Sequence, residues 1–103
     1  MDGDNVIACT STVWLWRPVK PSAASWYFAR IDAQTAAEIK YATLGLSRGF
    51  GSVKVTAQIG NTRWNTSLFP NKETGGFLLP LKASVRLAEG LAVDDELKIR
   101  LTV

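Results

Sequence analysis

Ser52-Val53-Lys54-Val55-Thr56-Ala57-Gln58-Ile59-Gly60-Asn61-Thr62-Arg63-Trp64-Asn65-Thr66-Ser67-Leu68-Phe69 is the stretch that decides the fold. Val53, Val55, Ala57 and Ile59 alternate with Ser52, Lys54, Thr56 and Gln58, which is the pattern of a strand buried on one face. Gly60-Asn61 is a two-residue link of the hairpin kind, so Thr62–Phe69 is expected to return beside the first strand. The chain ends on the same alternation, with Leu97, Ile99, Leu101 and Val103 set against Glu96, Lys98, Arg100 and Thr102. Upstream, Val6–Arg17 reads as a longer strand with Ile7, Cys9, Val13 and Leu15 on one side. Trp26–Ile31, rich in aromatic and β-branched residues, reads as another.

Two segments have helical spacing. Asp32 is placed to cap Ala33–Leu44, with Ala36, Ile39 and Thr43 as its inner stripe and Gly45 as its stop. Leu81–Glu89 is shorter, with Leu81, Val85 and Ala88 on one face, Pro80 at its start and Gly90 at its end. The order is then strand, loop, strand, helix, strand, followed by the same order again. The halves span about residues 6–59 and 62–103, and Ile31-Asp32 is matched to Leu79-Pro80. Six half-buried strands close most economically into a barrel, which leaves no exposed edge. The expectation is one domain over residues 1–103, mainly β with two short helices.

Several blocks carry a family likeness. Ser47-Arg48-Gly49-Phe50-Gly51-Ser52-Val53, Thr66-Ser67-Leu68-Phe69-Pro70-Asn71-Lys72, Gly76-Phe77-Leu78-Leu79-Pro80-Leu81-Lys82 and Val85-Arg86 occur in order, after Trp14-Leu15-Trp16 and Trp26-Tyr27-Phe28. Over about residues 7–103 the chain resembles the bacterial family called domain of unknown function 1905. The resemblance implies a double-split β-barrel, similar to swapped-hairpin regulators that build theirs from two chains; here one duplicated chain would supply both halves. It brings no activity with it. One departure lies in Gly90-Leu91-Ala92-Val93-Asp94-Asp95, where the family usually has glycine at the position of Asp94; aspartate tolerates positive φ better than most residues.

The chain has 103 residues, 47% of them hydrophobic, enough for a core without metals or disulfides. There is no histidine, which removes the commonest general base and metal ligand. Cys9 is the one cysteine, so no disulfide forms within the chain, and its strand position makes it a small core hydrophobe. The Asp94-Asp95 carboxylates fit a turn better than an acid–base pair. No catalytic residue, metal site or cofactor is expected. An enzyme using a lysine or carboxylate in the loops is the rival reading. The opening Met1–Asn5 is acidic and no apolar run approaches membrane length, so the expectation is a cytoplasmic monomer of bacterial origin, away from membranes.

Net charge is +3, all of it from residues 48–103, where eight Lys and Arg face five Asp and Glu. That is a thin basis for holding a polyanion, which argues against nucleic acid despite the regulator-like fold. Two surfaces remain as candidates for an unknown ligand or protein partner. One is the Arg48-Gly49-Phe50-Gly51 loop with Lys72, Lys82 and Arg86, where backbone amides and cations would receive an anion. Its plainer reading is a tight helix-to-strand connection with Phe50 as an anchor, beside a solvated helix face carrying an Arg86–Glu89 pair. The other is Trp14 and Trp16, two apart on one strand and opposite the aliphatic face. They form a platform unless the Pro18–Ser25 loop or a helix lies across them. Trp26 and Trp64 are expected in the core or at the barrel rim.

Overall fold

The computed structural model describes residues 6–16, 26–43 and 51–103. Its elements are β1 (Val6–Trp16), β2 (Trp26–Ile31), α1 (Ala33–Ala42), β3 (Val53–Ile59), β4 (Thr62–Asn71), β5 (Gly76–Pro80), α2 (Ala83–Glu89) and β6 (Glu96–Thr102). The strands close into a barrel in the order β1-β2-β5-β4-β3-β6, every neighbour antiparallel. The expected β-barrel with two short helices is therefore the architecture found.

Exchanging β1 with β4, β2 with β5 and β3 with β6 reproduces the whole ring. Burial follows suit: Val13 and Leu68 are buried on β1 and β4, as Ala29 and Leu79 are on β2 and β5. The helix starts give the alignment of the halves. Asp32 caps α1 at φ −68°, ψ 167°, and Lys82 caps α2 at φ −70°, ψ 159°. Ile31-Asp32 thus corresponds to Leu81-Lys82, two residues later than the sequence pattern indicates, because Pro80 belongs to β5 and not to the helix. Proline is tolerated there at the last position of the strand.

The alternating positions fill the barrel. Val53, Val55, Ala57 and Ile59 of β3 pack with Leu97, Ile99 and Leu101 of β6, and Val13, Ala29, Ile31, Leu68, Phe77 and Leu79 complete the interior. Trp64 is buried among them, as expected, at 8% exposure. The β3–β4 hairpin turns at Gly60-Asn61 with positive φ at Gly60 alone (57°), the pattern of a type II′ turn.

α1 lays Thr35, Ala36 and Ile39 against the barrel, and Lys40 sits 5.7 Å from the Phe77 ring centre. Asp32 Oδ1 accepts from the Thr35 amide at 2.8 Å, and the Thr35 side chain, with that amide second, lowers the Asp32 pKa. Thr43 ends the described helix, donating its hydroxyl to the Ile39 carbonyl; Leu44 and Gly45 lie outside the described residues. In α2 only Val85 is buried. Ala88, expected on the inner face, is exposed, because a helix of two turns touches the barrel along a single row. Gly90 stops the helix in the left-handed conformation at φ 62°.

The Ala92–Asp95 turn clamps β1 to β6. Asp94 donates its amide to the Val13 carbonyl at 2.9 Å, and Val13 donates to the Asp95 carbonyl at 3.0 Å. Asp95 also accepts from the Ala92 amide at 2.8 Å, so both aspartates have structural places in the turn. Asp94 holds φ 72°, the positive value expected where the family uses glycine. Among the described residues no helix is long and apolar enough to cross a membrane.

Candidate functional site

Barrel strands alternate inward and outward, so the outer surface is read from the same registers. On the β1-β6-β3-β4 side it is polar: Lys54, Thr56 and Gln58, then Arg63 and Asn65, then Lys98 and Arg100. On the β1-β2-β5-β4 side it is aromatic and apolar. Trp16 opposes Trp26; Trp14 opposes Phe28, which opposes Pro80; Arg30 opposes Leu78, which opposes Phe69. Each row is straight because the three ladders are in register.

These rows floor a groove of about 650 Å³, completed by Pro70 and by Asn71, Lys72, Glu73 and Thr74 of the β4–β5 connection. Trp16, Trp26 and Phe69 are 43%, 54% and 47% exposed. The Trp14 and Phe28 rings lie 5.9 Å apart, tilted by 34°. The Arg30 guanidinium stands over Trp14 with its carbon 4.6 Å from the ring centre, a cation–π contact that fixes the charge at the groove wall. Asn71 Oδ1 accepts from the Glu73 amide at 3.2 Å and Thr74 Oγ1 from the Gly76 amide at 3.2 Å, which shapes the polar end.

The expected site residues are distributed unevenly over this map. Trp14, Trp16 and Lys72 line the same groove; the Pro18–Ser25 loop, the alternative cover for the two tryptophans, lies outside the described residues. Trp26 is a groove residue and not core, since its register with Trp16, at the ends of β1 and β2, turns it outward. Lys82 and Arg86 line an adjoining, smaller concavity of about 250 Å³ with Tyr27 and Leu81, which shares Trp26 and Pro80 with the groove. There Arg86 stacks 3.8 Å from the Tyr27 ring centre and donates Nε to the Leu81 carbonyl at 3.1 Å. It does not pair with Glu89, which instead accepts from the Thr62 hydroxyl. Lys72 and the Lys82–Arg86 pair therefore lie in different concavities. Arg48, Gly49 and Phe50 lie outside the described residues. Gly51 has φ 84° and stands with Pro70 3.4 Å from where a Cβ would be.

Cys9 is half-buried and packs on the core. Burial, with smaller contributions from the Asp32 and Glu38 charges, pushes its thiol up to about 11, so it is protonated at neutral pH and a poor nucleophile. Among the described residues no three of Cys, Asp and Glu are grouped as metal ligands would be.

The family model described as Domain of unknown function (DUF1905) matches residues 10–101. The chain belongs to the DUF1905 family. The match takes in β2 to β5 and both helices whole, β1 from Thr10 and β6 to Leu101, so every groove residue from Trp14 to Pro80 lies within it. No curated protein and no solved structure matches the chain.

Proposed function

We propose that this DUF1905 protein is a binding module without a catalytic centre, and that its ligand site is the groove over Trp14, Trp16, Trp26, Phe28 and Phe69. The observation that carries this reading is the contrast between the two outer faces of one barrel. A solvated sheet face normally presents polar side chains, as the β1-β6-β3-β4 side does; contiguous aromatics in a concave surface mark a place where something else is bound. Aromatic walls with a few polar groups at one end are the usual composition of a small-molecule site. The high pKa of Cys9 supports the non-catalytic part of the reading. We place the protein in the bacterial cytoplasm as a monomer in which the two halves are copies of one unit; light scattering at twice the chain mass would refute the monomer.

The test uses N-phenylnaphthylamine, an uncharged aromatic dye whose emission rises in apolar sites. Trp26→Ala and Phe69→Ala are expected to weaken its binding by about tenfold each, the worth of a large part of one buried aromatic. Lys54→Ala, on the polar face, leaves it unchanged. Equal binding by all three variants would refute the groove as the site.

A further inference from the structure

The groove is graded along its length. Its apolar end is the Trp16–Trp26 pair, its middle is the Trp14–Phe28–Pro80 row, and Arg30 stands in the next row, four residues along β2 from Trp26. Four residues of strand are about 14 Å. Beyond Arg30 comes the polar end, which carries Lys72, Glu73 and Thr74. Arg30 and Lys72 outnumber Glu73 there, so the end is cationic. The Arg30 guanidinium carbon is held 4.6 Å from the Trp14 ring centre, so the charge stays at the groove wall, and a guanidinium carries the fork of N–H donors that takes an oxyanion bidentately.

We infer that the groove takes an elongated amphiphile: a flat apolar body of about 14 Å or less lying on the tryptophans, with an anionic carboxylate, sulfonate or phosphate head at Arg30 and Lys72. This rests on the groove being the binding site and adds the chemistry of its occupant. Charge complementarity decides it: an uncharged aromatic would leave both cations unused, and a cationic one would be repelled by them.

The experiment compares two dyes that share a ring system and differ by one charge, anilinonaphthalene sulfonate and N-phenylnaphthylamine, against the full chain. The sulfonate is expected to bind about fivefold more tightly at low salt, the preference shrinking as ionic strength rises. Arg30→Gln with Lys72→Gln should abolish the preference while leaving the neutral dye within about twofold; Arg30→Lys with native Lys72 should restore part of it. Trp26→Ala should weaken both dyes. If both dyes bind equally and both fall with Trp26→Ala, the groove stands and the anionic head is refuted. If Trp26→Ala moves neither dye, or neither binds, the groove itself is refuted and this inference with it. Thermal melts of each variant within a few degrees of the parent show that the fold is intact.

Discussion

Gly76 is where the barrel has no room to spare. A Cβ built on it would stand 1.8 Å from the Ile31 carbonyl oxygen and 3.1 Å from the Asp32 carbonyl carbon, both backbone atoms. Relief to the shortest tolerable contact of 3.0 Å means opening the β2–β5 seam by about 1.2 Å, and a hydrogen bond near 2.9 Å does not survive that stretch. Gly76→Ala should therefore lose one or two ladder bonds at about 1 kcal/mol each and add an overpacking cost of 1–3 kcal/mol, offset by under about 1 kcal/mol of unfolded-state entropy. The expected net loss is about 3 kcal/mol, or a fall in Tm of about 15 °C for a domain of this size. Urea unfolding followed by tryptophan fluorescence measures it. Gly90→Ala is the control, because nothing lies within 4 Å of that Cβ and only the positive φ of 62° is penalised, at about 1 kcal/mol. A second signature is local: displaced Asp32 releases the Thr35 amide, whose hydrogen exchange should quicken in Gly76→Ala and not in Gly90→Ala. A Gly76→Ala loss no larger than that of Gly90→Ala would refute the close approach.

Three further outcomes follow from the caps, the turn and the thiol. Asp32→Ala should cost about 1 kcal/mol through the lost helix cap; because the folded-state pKa of Asp32 is lowered, that stability is present above the ordinary carboxylate range and fades as pH falls through it, a pH dependence that Asp32→Asn should lack in acid titrations. Asp94→Gly should stabilise the protein by about 0.5 kcal/mol, since glycine takes φ 72° freely but gives back part of the gain as unfolded-chain entropy; calorimetry reads the shift. Cys9, with its thiol raised from 9.0 to about 11, should react with iodoacetamide at pH 8 about a hundredfold more slowly than a free thiol. The fold favours the protonated thiol, so stability is whole below pH 9 and declines as pH climbs toward 11, a decline that Cys9→Ala should remove.

Most of the fold could be read from residue order because each strand with one buried face declares itself by period-two alternation. Ser52–Ile59 and Glu96–Val103 did so, and Gly60-Asn61 located the hairpin neighbour of the first. Pro80 misled: its usual place at a helix start masked its role as the last residue of β5, and this shifted the alignment of the halves by two. Ala88 was drawn inward by helical periodicity that a seven-residue helix is too short to express.

The candidate site was half legible. Trp14 and Trp16 stood out because both oppose the aliphatic face of one strand. Phe28, Arg30, Leu78 and Phe69 did not, since joining them requires the pairing of strands separated by up to half the chain, and one sequence contains no register between β2 and β5. Trp26 carried a usable signal, being two before Phe28 and in phase with it. Lys72 was singled out for its charge and belongs to the groove; Lys82 and Arg86 were singled out for the same reason and belong elsewhere, because charge alone does not say which wall of the barrel a residue faces.

The way the ring closes has a consequence for how the chain can be divided. Within the first half only β1 and β2 pair, within the second only β4 and β5, and the other four of the six seams join one half to the other. A cut between Gly60 and Asn61 would leave two pieces that each keep one isolated hairpin, a unit scarcely stable in water. Neither piece would hold structure alone, yet together they contain every seam. The barrel is by construction a two-part complementation system, in which order in either fragment reports the presence of the other.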